Sequence, residues 1–166
     1  MGWRAMFRPG MRAYLVPLVA GLALLGSAFL PWVVVGGVAR RGVPDLAELA
    51  LWIAGLGGAA ALLATLSMIT RKNSRHPLLL VGLAALAIMF LSWQFLPRIA
   101  GERALTVSQA FAIVENRPME GAPDALVGAG IYLGLVASSV LVAFGLTIIV
   151  KRVAKPYAVE NADDDV

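Results

Sequence analysis

The chain has 166 residues, 60% of them hydrophobic and only 14% charged, with a mean hydropathy of +0.81. Soluble domains run at roughly 45–50% apolar and about 25% charged, so a soluble globular domain is excluded. There is no cysteine, which rules out a disulfide framework, a thiolate metal site and a thiol nucleophile; the formal charge of +4 sits at the ends of apolar runs instead of in a basic stripe with interleaved aromatics, so it speaks for membrane topology and against a nucleic-acid partner.

Residues 1–12 read as an interfacial anchor. Trp3, Met6 and Phe7 fall at helical spacing, Arg4 and Arg8 are placed to meet anionic lipid, and Pro9-Gly10 ends the segment. Ala13–Val35 is the first expected span. Its apolar stretch exceeds the roughly 7–15 residues of a signal-peptide core, which favours a span. Pro17 lies in its first turns, and Pro31 and Trp32 mark its outer end. Gly36–Val43 reads as a short loop with Gly36-Gly37 as the breaker. Pro44, Asp45 and Glu48 then open a second span over Leu46–Thr70, with the carboxylates at the positive end of the helix dipole. RKNSRH at 71–76 is a basic turn. The third span runs from Pro77 to Leu96, an external loop occupies 97–124, and the fourth span covers Ala125–Val150. Lys151, Arg152 and Lys155 follow, then an acidic tail.

Phe29-Leu30-Pro31 recurs as Phe95-Leu96-Pro97. Each copy is followed by a loop, a Pro-Asp pair (Pro44-Asp45, Pro123-Asp124), an apolar run and a basic pair (Arg71-Lys72, Lys151-Arg152). The expected fold is therefore an all-α integral membrane protein of four transmembrane helices, built from two tandem parallel-repeat hairpins. The first hairpin covers 13–72 and the second 77–152; a cytoplasmic turn at 73–76 joins them and an acidic cytoplasmic tail follows at 153–166. Nine basic residues fall on the side of the termini (Arg4, Arg8, Arg12, Arg71, Lys72, Arg75, Lys151, Arg152, Lys155) and five on the other (Arg40, Arg41, Arg98, Arg103, Arg117). The positive-inside rule then places both termini in the cytoplasm. Trp32, Trp52, Trp93 and Tyr132 are expected to form an outer aromatic belt, with Tyr14 and Tyr157 on the inner side.

The cores of the expected spans hold no Asp, Glu, Lys, Arg or His. Ionisable groups in a bilayer mark ion paths, proton relays and voltage sensors, and none is placed to do this work. Ser27, Thr65, Ser67, Ser92, Gln94, Ser138 and Ser139 have no base at depth to activate them, so an intramembrane hydrolase is disfavoured. His76 is the one histidine and reads as an interfacial residue. The carboxylates lack metal-site spacing, and no metal or bound cofactor is expected. Small residues recur every four positions, as Gly57, Ala61 and Thr65 on the second span and Gly130, Gly134 and Ser138 on the fourth. Such rows mark helix packing, inside the chain or against a partner.

The external loop carries an amphipathic segment, Leu105–Asn116. Thr106 and Gln109 have capping-box spacing, Val107, Ala110, Phe111 and Val114 line one face, and Pro118 closes it. A helix of this length needs tertiary cover, so Phe111 and Val114 are expected to meet the bundle or a partner. The Ala-, Gly- and Arg-rich composition fits a high-GC bacterium and hence its inner membrane. These features point to a non-catalytic accessory subunit of a larger membrane complex, partnered by lipid and other integral membrane subunits, with room to enclose lipid, quinone or pigment. Electron-transport and photosynthetic assemblies are common hosts of such subunits. A small homo-oligomeric channel or transporter is the alternative, and a membrane enzyme stands last.

Overall fold

The computed structural model describes residues 12–70, 74–118, 121 and 123–153. Residues 1–11 of the expected anchor (1–12), the basic pair Arg71-Lys72 and residues 154–166 of the expected tail (153–166) lie outside the described residues. The elements are α1 (Leu15–Ser27), β1 (Pro31–Val35), β2 (Val38–Arg41), α2 (Ala47–Thr70), α3 (Arg75–Glu115), β3 (Ala125–Val127) and α4 (Ala129–Val153), with a 3-10 turn at Arg12–Tyr14 leading into α1. The protein is mostly helical. Helices α2, α3 and α4 are long and apolar enough to cross a membrane, while α1 has 13 residues. Large apolar side chains such as Val19, Leu62, Leu80 and Val136 are exposed along the bundle. Such a surface is suited to lipid and not to water.

Inside the bundle, α3 packs along α4 and α1 along α2, α1 also meets α4, and α2 touches α3 less than these. The core is apolar, with Leu24, Ile53, Leu78, Met89, Ile131 and Leu141 fully buried. At the end of the bundle where α3 starts, Tyr14 meets Phe144 edge-on with ring centroids 5.4 Å apart, and the Arg75 guanidinium lies 5.5 Å from the same Phe144 ring. Tyr14 is thus buried, not part of a lipid-facing inner belt.

The opposite end corrects the all-α expectation. Residues 31–35, expected to finish the first span, form a strand, and a three-stranded antiparallel sheet of order β2-β1-β3 caps the bundle. The sequence Trp-Val-Val-Val-Gly-Gly-Val explains it. A β-branched run meets two glycines, and a two-residue hairpin turn needs positive φ at both central positions. Gly36 and Gly37 supply φ of 54° and 81°, and Val35 faces Val38 across the turn. On its other edge β1 pairs Val33, Val34 and Val35 with Val127, Leu126 and Ala125. The fourth helix consequently starts at Ala129, after β3, and not at Ala125. Pro44 precedes α2 by three residues, in the turn after β2, and does not open the helix.

Between α1 and the sheet every carbonyl from Leu24 to Ala28 finds a donor. Ser27 Oγ donates to the Leu24 carbonyl at 2.6 Å, and the amides of Ala28, Phe29 and Leu30 donate to Leu25, Gly26 and Ser27. The Trp32 indole N–H donates to the Ser27 carbonyl at 2.9 Å, and the Val43 amide reaches the Ala28 carbonyl at 2.8 Å. A helix end within a water-poor region requires this complete accounting. Trp32, expected in the outer belt, is 0% exposed, whereas Trp52 is 69% exposed and Tyr132 also lies on the surface. Two of the residues beside the indole are glycines. A methyl group on Gly42 would lie 2.8 Å from Trp32 Nε1, and one on Gly130 would lie 2.7 Å from Trp32 Cδ1.

The second correction concerns α3. Its 41 residues make it about 60 Å long, roughly twice the hydrocarbon thickness of a bilayer. The expected third span and the amphipathic segment are one helix, which runs through Pro97. Proline there removes one backbone donor, and the carbonyl of Trp93 loses its helical partner. Packing beyond the proline sustains the helix, since α3 lies against β1 and β3, and a methyl on Gly101 would touch Ala125 Cβ at 3.4 Å. Thr106 therefore caps nothing. Its hydroxyl donates back to the Glu102 carbonyl at 2.9 Å. The helix ends at Asn116, in the left-handed region at φ 50°, with the Arg117 amide returning to the Ala112 carbonyl at 2.9 Å.

Trp32→Ala is expected to destabilise the purified protein by about 3–5 kcal/mol, because it leaves a cavity and removes a donor from a buried carbonyl. Trp52→Ala, on the surface, is expected to stay within about 0.5 kcal/mol. Thermal or chemical unfolding in one detergent checks the difference.

Candidate functional site

The predicted packing residues fall into two groups. On α2, Gly57 lies where α1 and α2 touch backbone to backbone. A methyl on it would sit 2.5 Å from the Leu25 amide nitrogen, and one on Gly21 would sit 2.7 Å from the Ala61 nitrogen. Ala61 thus borders the same crossing, and Thr65, half-buried, donates its hydroxyl to the Ala61 carbonyl at 2.8 Å. On α4, Gly130 faces Trp32 and the Ser27 and Pro31 carbonyls, Gly134 faces the Met89 side chain of α3, and buried Ser138 donates to the Gly134 carbonyl at 2.7 Å. These six residues are spent inside the chain. Gly21, Gly82 and Gly145 make equivalent close approaches, Gly82 to Leu141 and Gly145 to Leu79. The four-residue spacing did not single them out; each would have been found as a lone glycine inside an apolar helix.

Phe111 and Val114 form the second group. They lie on the part of α3 beyond the sheet and are 61% and 83% exposed. Val107 and Ala110 are exposed with them, while Ala112 is buried and Ser108 half-buried on the side turned to the protein. The apolar face read from the sequence is therefore the one left uncovered by the chain itself.

Beside it runs an open groove of about 680 Å³. One wall is the α3 stripe from Ala100 to Phe111, and the other is the β1–β2 hairpin with Asp45 and Leu46 ahead of α2. The groove is mainly apolar, and its charged groups are Arg40, Asp45 and Arg103. Asp45 is engaged, accepting the Arg41 amide at 2.8 Å. Nearby, Arg98 pairs with Glu102 at 3.0 Å and Arg117 with Glu115 at 3.2 Å. Both pairs are exposed and contribute little to stability. Among the described residues no three metal-ligating side chains come together, and His76 is exposed at the start of α3, at the far end from the groove. The hydroxyls of Ser27, Thr65, Ser67 and Ser138 all donate to carbonyls of their own helices.

Comparison with known proteins provides no template: no family profile, no curated protein and no solved structure matches this chain.

Two substitutions separate backbone contact from side-chain contact. Gly57→Ala meets fixed backbone and is expected to cost about 1–3 kcal/mol of stability. Gly134→Ala meets only the flexible end of Met89 and gains helix propensity, so its cost is expected to be about 1 kcal/mol or less. Unfolding of both variants in the same detergent measures the difference.

Proposed function

We propose that this protein is a non-catalytic accessory subunit of a larger integral membrane complex, and that it docks a partner chain through the projecting end of α3. The observation that carries this reading is the uncovered stripe Val107, Phe111 and Val114, held on a helix that the sheet fixes in place. Exposed apolar groups on a rigid element outside the bundle mark an interaction surface. Fully burying one such side chain contributes about 1.5–3 kcal/mol. The channel alternative finds less support, because the bundle interior is mainly apolar, with Leu24, Ile53, Leu78, Met89, Ile131 and Leu141 fully buried, and of its buried serines Ser27, Ser67 and Ser138 are spent on carbonyls of their own helices. The absence of ionisable side chains from the apolar spans supports a passive role over a transporter or an intramembrane enzyme.

The same reading uses a four-span topology in a bacterial inner membrane with both termini cytoplasmic. With its flanking 3-10 turns, α1 covers residues 12–30, about 30 Å, which supports its role as the fourth span. A tandem repeat is supported by the order of motifs and by the pairing of α1 with α2 and α3 with α4. The two Phe-Leu-Pro copies themselves differ in structure, one leading from α1 into β1 and the other inside α3.

Two measurements follow. Since the chain lacks cysteine, single cysteines at Ser74 and Ala39 are expected to react with an impermeant maleimide from opposite sides of the membrane; reaction from one side only contradicts the topology. Purification in mild detergent is expected to retain a partner chain with the native sequence and lose it with Phe111→Asp or Val114→Asp, with the fold unchanged by circular dichroism. Equal recovery of the same proteins with both variants contradicts the subunit reading.

A further inference from the structure

We propose that the groove between the β1–β2 hairpin and α3 binds the head group of an anionic phospholipid, with its phosphodiester held by Arg40 and Arg103. This deepens the subunit reading and rests on its membrane placement, but on no partner chain. Three observations converge.

The first is depth. Arg98 is the first charge after the apolar run of α3, and Arg103 lies five residues further, about 8 Å along the axis. On α2, Glu48 is the last charge before the apolar run, and Asp45 and Leu46 stand just ahead of it. Head-group layers extend about 5–8 Å beyond the hydrocarbon on each side. The groove thus opens at the level where phosphates lie.

The second is charge. The groove presents two guanidinium groups and one carboxylate, leaving one net positive charge. Asp45 already accepts the Arg41 amide, and Ser108 donates its hydroxyl to the Leu105 carbonyl at 2.9 Å. Neither Arg40 nor Arg103 makes an ion pair among the described residues, whereas Arg98 and Arg117 do. A phosphodiester carries one negative charge and accepts forked hydrogen bonds from arginine, so it complements this set. A zwitterionic head group adds a cation beside two others and is disfavoured.

The third is space for the chain. Leu46 and Ala100 line the end of the groove nearer the apolar runs, the small Ala100 and Ala104 on α3 leave room, and over their whole length α2 and α3 touch less than the pairs α1–α2, α1–α4 and α3–α4. An acyl chain can descend along this seam while the head group stays on the arginines.

The test uses the purified full chain in detergent micelles with phosphatidylglycerol, phosphatidylcholine or inorganic phosphate, with bound lipid counted by native mass spectrometry. Phosphatidylglycerol is expected to be retained at least about tenfold better than phosphatidylcholine, and the double variant Arg40→Gln/Arg103→Gln to lose about tenfold of that retention, as expected for charge-assisted hydrogen bonds. Arg98→Gln is expected to leave retention unchanged, and Ala104→Phe to reduce it by filling the groove with both arginines intact. Equal retention of the two lipids overturns the proposal. So does unchanged retention in the double variant, an equal loss in Arg98→Gln, or inorganic phosphate that displaces the lipid at equal concentration. Loss of lipid with a partner chain still bound counts against this site alone; loss of the partner with lipid retained counts against the subunit reading alone.

Discussion

The hydrogen bond from the Trp32 indole to the Ser27 carbonyl, 2.9 Å long and buried, is the contact on which the sheet end of this protein depends. It fixes how the chain leaves α1. A helix that stops near the edge of a bilayer exposes carbonyls that water cannot serve. Here the indole, the hydroxyl of Ser27 and the amides of residues 28–30 and 43 serve them. The large ring then fills the place where α1, β1 and α4 meet, and glycines at 42 and 130 make room for it. The Trp32 carbonyl in turn accepts the Gly128 amide at 2.7 Å, which brings β3 and the start of α4 onto the same support.

From that junction the rest of the outer architecture follows. With β1 anchored at its first residues, the Gly36-Gly37 turn folds β2 back and β3 pairs on the free edge. The sheet gives the upper part of α3 a surface to lie on, and this contact keeps the helix intact through Pro97. The consequence is a rigid projection with one face on the sheet and the other open. The groove and the exposed stripe are both products of this one arrangement, since the hairpin makes one wall and α3 makes the other.

The long apolar helices, the bounds of α2 and the helical character of 105–116 are legible in the sequence, because long apolar runs and a helical spacing report directly on a local environment. The hairpin was legible too in principle. Val33-Val34-Val35 followed by two glycines is a strand-and-turn signal, but the same valines also extend an apolar run, and by run length alone they belong to the span. By its type Trp32 belongs at the interface, whereas its burial depends on two glycines that lie 10 and 98 residues away along the chain. The expected third span ends at Leu96, just before Pro97, and a proline inside a helix disfavours its continuation. The sheet that overrides it is a tertiary feature. Among the site residues, Gly57, Gly130 and Gly134 of the small-residue rows lie at close approaches inside the chain, and spacing alone does not tell an internal crossing from an external one. For Phe111 and Val114 the amphipathic pattern identified the face, and only the structure shows that the chain leaves it bare.

The account joins an inert, well-packed bundle to a projecting apolar face, and its central claim is that another chain covers this face in the membrane. Reaction of a single cysteine at Val114 with an impermeant maleimide tests that claim directly, compared between native membranes and the purified chain, with a cysteine at Ala39 as the reference. The account predicts that position 114 reacts slowly in native membranes and rapidly after purification, while position 39 reacts at similar rates in both. Equal and rapid reaction of position 114 in both settings would contradict it.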